Sequence, residues 1–370
     1  MRCAIVHDWV TGMRGGEKLL EVLCELLPGS DLYTMIHVPG QVTPQIENRR
    51  IVTSWLNRLP GVARYYRYLL PLMPSAARRL KLRGYDLAVA INHCVAQGAD
   101  VEAGTRFACI CLTPMRYAWG MLDSYFPKAR RLDPRYWALR WLGRTLRAWD
   151  RRAAQRVTDF IAISRHVQER VRRSYGRDST VIYPPVDTEY YRPLDRPPGD
   201  YYLWVGALAP YKRIDLALAA FAGLDRKLIV IGQGQDKRWA RRNAPPNVTF
   251  LGRQPDDVLR THYATCRALL FPGEEDFGIV PLEAQACGRP VIAYGSGGAL
   301  ETVVDVRCPA AGEGPTGVLF HEPTADCLRD AVQRFEQCES GFDAQAIRAH
   351  ALRFSRERCK AALSRYLLGT

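Results

Sequence analysis

The run from Phe271 to Val304, FPGEEDFGIVPLEAQACGRPVIAYGSGGALETVV, leaves few folds open to the chain that contains it. A short apolar strand over 268–272 gives way to a Gly-Glu-Glu-Asp loop. The Phe277-Gly278 turn then opens a helix over 279–286, which Cys287-Gly288 closes. Residues 290–293 read as the next strand, and Gly297-Gly298 leads into another helix near Ala299. Strand, loop, helix and strand in that order build a parallel α/β sheet. At the start of the helix, the N–H groups after Gly278 lack intrahelical acceptors and favour an anionic or hydroxyl-rich ligand. Glu275 precedes this helix and Glu283 lies inside it. The rise per residue separates them by roughly 10 Å, which suits the two ends of one nucleotide sugar. On spacing alone a glycosidase pair, at about 5–9.5 Å, remains open.

Glu275-x7-Glu283, with Phe277-Gly278 between and Gly288-Arg289-Pro290-Val291 after, resembles the signature of family 4 glycosyltransferases. The resemblance implies an α/β chain of the GT-B fold, two Rossmann-like domains facing each other across a cleft. It implies that Glu275 contacts the donor sugar and Glu283 the nucleotide ribose. The backbone around Phe277, Gly278, Ile279 and Val280 would line the sugar and phosphate site. It further implies retention of the anomeric configuration, no metal and no cofactor beyond the nucleotide-diphosphate sugar itself.

At 370 residues the chain is long enough for two domains. No run approaches the length of a membrane span, and the apolar N-terminal run is too short for a secretory signal. The 11 cysteines show no CxxC pair and no zinc spacing, which points to reduced thiols in a cytoplasmic protein. The net charge of +14 is unevenly placed. Residues 1–193 carry 30 lysines and arginines against 17 acids, and the remainder 22 against 21. The first half should therefore face something anionic.

Residues 2–6 read as a first buried strand, followed by His7-Asp8-Trp9 and the loop Thr11 to Lys18. A helix is expected over 18–26. A strand, a Gly-rich loop and a helix N-terminus face phosphates well, although the spacing is neither GxGxxG nor Walker A. In the family it resembles, Gly15 and Gly16 sit close to the donor diphosphate. Residues 54–84 interleave seven basic residues with Trp55, Tyr65, Tyr66 and Tyr68 and contain no acid. Such a stretch reads either as an interfacial helical region on an anionic membrane or as a solvated basic face. No nucleic-acid recognition module is visible. Residues 128–156 are again basic, with a helical stripe of Trp137, Trp141, Leu142, Leu146 and Trp149 that suits core packing or membrane contact.

Strands over 85–91 and 106–112 end at Asn92-His93 and at Thr113-Pro114-Met115-Arg116-Tyr117-Ala118-Trp119. TPMRYAW, with HDW and TGMRGGEK upstream, resembles the branch that adds mannose or related sugars to bacterial surface polysaccharides. That branch commonly carries His before Thr-Pro, where this chain has Leu112, and Asp after the Trp, where it has Gly120. His93, Arg116 and Tyr117 are the acceptor-side candidates.

Prolines 193, 197 and 198 suggest a linker. The expected division is an acceptor-binding domain over 1–193, a nucleotide-sugar domain over 194–353, and a last helix over 354–370 returning to the first domain. In the second domain, the strand over 202–205 ends at Gly206 and leads to YKRID. Lys212 and Arg213 at that helix start can hold a diphosphate by charge and by backbone N–H groups. Strands over 227–231 and 248–251 end at Gly232 and Gly252, loops of the kind that meet the nucleobase in relatives. The expected catalytic groups are Lys212, Arg213 and Glu275. The expected activity moves a hexose, mannose favoured, to a lipid-linked or polysaccharide acceptor at the cytoplasmic face of a bacterial inner membrane. A nucleotide-sugar hydrolase or epimerase on the same fold, or a basic docking module, stays open.

Overall fold

The structure, a computed structural model, describes residues 1–119, 134–308 and 314–369. Its chain divides into two units, Met1–Pro185 with Cys359–Thr370, and Val186–Arg358.

Among the described residues the first unit holds nine strands: β1 (Cys3–Val10), β2 (Asp31–His37), β3 (Ile51–Thr53), β4 (Lys81–Leu82), β5 (Leu87–Asn92), β6 (Asp100–Val101), β7 (Arg106–Cys111), β8 (Asp159–Ala162) and β9 (Thr180–Val181). Seven form a parallel sheet in the order β3-β2-β1-β5-β7-β8-β9, and β4 pairs with β6 apart from it. The runs AIV of β1, LAVAI of β5 and FACIC of β7 are buried throughout. Continuous apolar strands are what a parallel sheet covered on both faces requires. The strand order reverses between β1 and β5, with β2 and β3 on one side and β7, β8 and β9 on the other. At such a switch point the loops diverge to opposite faces and leave a crevice at the carboxyl edge. Here β1 pairs with β5 only as far as His7↔Ile91, while it follows β2 to Val10↔His37.

Residues 54–84 are not a continuous amphipathic helix. They form three 3-10 turns, Trp55–Arg58, Val62–Arg64 and Tyr66–Leu69, and the short helix Met73–Arg78. Pro60, Pro71 and Pro74 explain the breaks, since each removes a backbone donor. Leu56, Val62, Tyr66 and Met73 turn inward, and Arg58, Arg64, Arg67 and Tyr68 stay exposed. The helix Pro134–Ala154 splits the second basic stripe. Leu146 is buried and Trp149 half-buried, while Trp137 and Trp141 are 61% and 68% exposed.

The second unit holds β10 (Tyr202–Val205), β11 (Leu228–Ile231), β12 (Val248–Gly252), β13 (Leu269–Phe271), β14 (Val291–Tyr294) and β15 (Gly317–Phe320), parallel in the order β12-β11-β10-β13-β14-β15. Its switch point lies between β10 and β13. The sequence reading has no strand at β15, because GVLF is too short to show a period. Residues 186–193 belong to this unit. Val186 bridges Ser355, and Arg348 donates to the carbonyls of Thr188 and Tyr191, both at 3.1 Å. The prolines beyond Arg192 mark an exposed surface segment, but the hydrogen bonds set the division before Val186.

Two helices, Ala344–Leu352 and Arg356–Leu368, close the chain and are parted at Phe354-Ser355. The second begins in one unit and ends in the other. Within the first unit Lys360 pairs with Glu25 at 3.0 Å, and Arg106 donates to the carbonyl of Leu367 at 3.0 Å while holding Asp159 at 2.7 Å.

Candidate functional site

In the second unit, the chain leaves β10 at Gly206 and makes the 3-10 turn Pro210–Lys212. Arg213 then caps the helix Ile214–Phe221 in the left-handed region, at φ 52°. Among the described residues it is the only non-glycine with a positive φ, a strained backbone of the kind that clusters at functional sites. Its guanidinium grips Asp215 through Nε at 3.1 Å and Nη2 at 3.0 Å. Lys212 points elsewhere. Its ammonium meets the Glu275 carboxylate, which the loop after β13 brings to the same switch point. Both side chains are largely covered, at 13% and 16% exposure, so the pair works with little screening by water. The ammonium also sits 5.6 Å from the Tyr211 ring and 5.9 Å from the Phe271 ring.

The glycine-rich loop after β14 fixes the position of Glu275. Gly297 bridges it, and the Gly298 N–H donates to its carbonyl at 2.8 Å. Phe277 is buried against Phe354, with ring centroids 5.8 Å apart. Gly278, at φ 103°, caps the helix Ile279–Ala286. Ile279 and Val280 occupy its first turn, half-buried, and Pro281 follows with no N–H to satisfy. The first-turn donors of Ile279 and Val280 have no acceptor within the helix and can serve an anion or a sugar hydroxyl. Glu283 lies further along this helix, 7% exposed, and accepts the Tyr263 hydroxyl at 2.9 Å. Burial first, then the charge of Glu283, pushes the Tyr263 phenol well above its usual range, so it stays a donor. The sequence reading missed Tyr263, because nothing in a helix 20 residues upstream marks it as a partner of Glu283.

Gly206, Gly232 and Gly252 lie side by side across the ends of β10, β11 and β12. The Gly206 N–H donates to Ile231 at 3.0 Å, and the Gly232 N–H to Gly252 at 2.8 Å. Gly232, at φ 146°, leaves no room for a side chain, since a Cβ there would overlap the Gly206 carbonyl.

In the first unit, Gly15 and Gly16 open the helix Gly15–Leu26, three residues earlier than the sequence suggests. A Cβ on Gly16 would stand 3.2 Å from the Leu112 side chain and 3.4 Å from His7 Nε2. Beside them, Asp8 is fully buried and accepts four backbone N–H groups. His93 and Cys94 donate to Oδ2 at 2.7 and 2.9 Å, and Val95 and Ala96 to Oδ1 at 2.6 and 2.8 Å. His93 Nδ1 lies 2.9 Å from the same Oδ2. Burial pushes the Asp8 carboxyl up, but the His93 charge and the bonds from His93 and Val95 outweigh it and hold the group at about 2. Arg116 begins the short turn Arg116–Trp119, half-buried; the Tyr117 side chain and Gly120 lie outside the described residues. Trp119 is anchored through Nε1 to Asp150 at 2.7 Å. Among the described residues, no three His, Cys, Asp or Glu side chains are grouped as metal ligands.

Two parallel sheets, each with a furnished switch point, define a two-domain α/β architecture of the GT-B class. HepE of Anabaena, in complex with UDP, superposes with a TM-score of 0.70 at 16% identity over the whole of both chains. Residues 13–190 match the model "Glycosyltransferase Family 4", and residues 192–352 match "Glycosyl transferases group 1". The chain is thus built of a family 4 glycosyltransferase domain followed by a group 1 glycosyltransferase domain. An uncharacterized glycosyltransferase of Methanocaldococcus jannaschii is 30% identical over 180 residues, covering 47% of this chain and 48% of the relative. The D-inositol 3-phosphate glycosyltransferase of Mycobacterium leprae is 30% identical over 209 residues, covering 50% of this chain and 47% of the relative. The alignments thus span about half the length of the curated relatives.

Proposed function

We propose that the chain transfers a hexose, mannose favoured, from a nucleotide-diphosphate sugar to a lipid-linked or polysaccharide acceptor, with retention at the anomeric carbon. The observation that carries this reading is the Lys212–Glu275 pair at the switch point of the second sheet, beside the free first-turn N–H groups of the helix Ile279–Ala286. As the sugar–phosphate bond breaks, negative charge gathers on the leaving diphosphate. Preorganised cations and N–H groups aimed at that charge are the main source of rate. Lys212 and Arg213 supply cations, Glu275 holds sugar hydroxyls, and Glu283, steadied by Tyr263, holds the ribose. Gly206, Gly232 and Gly252 admit the nucleotide to the strand ends. HepE binding UDP supports a nucleotide donor. The inositol 3-phosphate named for the mycobacterial relative, with the charge surplus of residues 1–193, supports an anionic acceptor.

The acceptor is met at the cytoplasmic surface of an inner membrane. Trp137 and Trp141 stand exposed one helical turn apart with Arg140 and Arg144 exposed beside them, a pattern that suits an anionic interface. Among the described residues, no helix is long and apolar enough to cross a membrane. A thermal-shift screen of nucleotide sugars, followed by radiolabelled transfer from those that bind, tests the function. Stabilisation by a nucleotide sugar with transfer to an extracted lipid-linked glycan supports it. Release of free sugar alone would identify a hydrolase, and no stabilisation would remove the donor site.

A further inference from the structure

We propose that Asp150 is a positioning residue for the acceptor: its carboxylate fixes Trp119 and, through it, the turn that carries Arg116, an assignment that rests on the transferase reading above. All of these groups belong to the first unit. The turn Arg116–Trp119 follows the carboxyl end of β7, which pairs with β5 beside the switch point of the sheet. Ligands of open α/β sheets bind along that edge. Asp150 stands on the helix Pro134–Ala154 and is fully buried. Its Oδ1 accepts Gln97 Nε2 at 2.6 Å, and its Oδ2 accepts Trp119 Nε1 at 2.7 Å and the Tyr175 hydroxyl at 2.8 Å. Gln97 lies in the 3-10 turn Ala96–Gly98, and Tyr175 ends the helix Arg165–Tyr175. One carboxylate thus ties the acceptor-side turn to three other elements. The Trp119 ring is held as well. The guanidiniums of Arg147 and Arg151 each lie 5.2 Å from its centroid, and Arg147 donates to the Ala118 carbonyl through Nε at 3.0 Å and Nη2 at 2.7 Å.

Among the described residues the donors to Asp150 are all neutral. A buried carboxylate without a cation is costly. Burial pushes the Asp150 carboxyl up to about 6, against the pull of its bonds from Trp119, Tyr175 and Gln97. Its folded pKa lies above the unfolded value near 4, so the stability it contributes is present at acid pH and lost as pH rises through about 6. A carboxylate kept ionised at neutral pH against stability points to function rather than packing. Its two oxygens face three donors, and a proton on either would displace one of them. As pH falls through about 6, charge-assisted bonds give way to neutral ones about half as strong, and the hold on Trp119 slackens. The other titratable and charged groups around the network keep their state over that window. Tyr175 is raised well above its usual range by burial and then by Asp150. Cys94, Cys109 and Cys111 are buried thiols, the first two raised well above their usual value by burial. Asp8, whose charge also acts on Asp150, is ionised from about 2 upward. Arg147 and Arg151 are cations throughout.

Nitrogen-15 NMR of the Trp119 indole N–H reads the grip. Transfer of radiolabelled sugar from GDP-mannose or UDP-glucose to lipid extracted from bacterial membranes reads the role. In the wild type the indole resonance should move with pH, with a midpoint at about 6. In Asp150→Asn, which leaves every histidine titration in place, that movement should vanish. Asp150→Asn and Trp119→Phe should each raise the half-saturating concentration of acceptor about tenfold, the scale for one lost hydrogen bond. This rise should exceed any fall in kcat, and the thermal shift by UDP or GDP should persist. The wild-type half-saturating concentration should rise severalfold from about pH 7 to about pH 5, while that of Asp150→Asn stays high and flat. An indole resonance that does not move over this range, or unchanged acceptor saturation in Trp119→Phe, overturns the role of Asp150 alone. If Asp150→Asn fails to fold, the wild-type titration and Trp119→Phe decide between these outcomes. No thermal shift of the wild-type protein by either nucleotide overturns the transferase reading, and this role with it.

Discussion

The Lys212 ammonium meets the Glu275 carboxylate across 63 residues of chain, at the reversal in strand order of the second sheet. Each charge neutralises the other before a ligand arrives, which lets both be largely covered without isolated-charge cost. A diphosphate entering the site can draw Lys212 while sugar hydroxyls take over Glu275. Lys212→Ala and Glu275→Ala should each lower turnover at least about a hundredfold, the scale for removing one stabiliser of transition-state charge. Steady-state kinetics with the best donor check this, and near wild-type values in both would undo the site assignment.

Gly232 offers a steric test of the nucleotide loops. Alanine there meets the Gly206 carbonyl and a φ of 146° together. The strands must part or the loop must shift, at a cost of about 1–3 kcal/mol. Gly232→Ala should melt lower and bind nucleotide at least tenfold more weakly, by calorimetric titration. Unchanged melting and affinity would mean that the backbone there yields freely.

Tyr263 links a buried phenol to Glu283. Tyr263→Phe removes the hydroxyl that Glu283 accepts at 2.9 Å and should cost about 1–3 kcal/mol in stability, the range for a buried acceptor losing a donor. If Glu283 holds the ribose, KM for the donor should rise severalfold with kcat nearly unchanged. A fall in kcat at constant KM would place Glu283 in the chemical step.

Asp8 gives the first unit an acid limit. Its folded pKa, about 2, lies below its unfolded value near 4, so its contribution is present above about pH 4 and lost as pH falls toward 2. The difference corresponds to about 2 kcal/mol. Urea unfolding of wild type and Asp8→Asn should show a gap at pH 6 that narrows by about that amount near pH 2. A gap independent of pH would assign the loss to packing.

Trp137 and Trp141 should mark the membrane face. Replacing both with Ser should weaken binding to vesicles containing phosphatidylglycerol at least tenfold while leaving nucleotide binding unchanged. Sedimentation with neutral and anionic vesicles at two salt concentrations checks it. Equal binding to neutral vesicles, or none by the wild type, counts against an anionic interface.

The second unit was largely legible in the sequence. The helix Ile279–Ala286 falls where the sequence puts it, and Gly206, Gly232 and Gly252 end consecutive strands as expected. Local signals suffice there, because strand runs, glycine turns and helix starts repeat within thirty or forty residues. The basic stretch over 54–84 left two readings open, because charge and aromatic content do not fix whether it runs as one helix or, as here, in short turns. Nothing in the sequence marks Asp8 as the acceptor of four backbone N–H groups, and Tyr263 and β15 carried no signal.

Sequence alone settled the α/β class, the parallel sheets and the acidic motif, since these follow from short-range periodicity and backbone chemistry. Tertiary structure alone decided that Lys212 reaches Glu275, that Tyr263 holds Glu283, and that Asp8 meets the 93–96 turn. Those pairs arise where strand order reverses, and strand order depends on long-range pairing that no local stretch of the chain encodes.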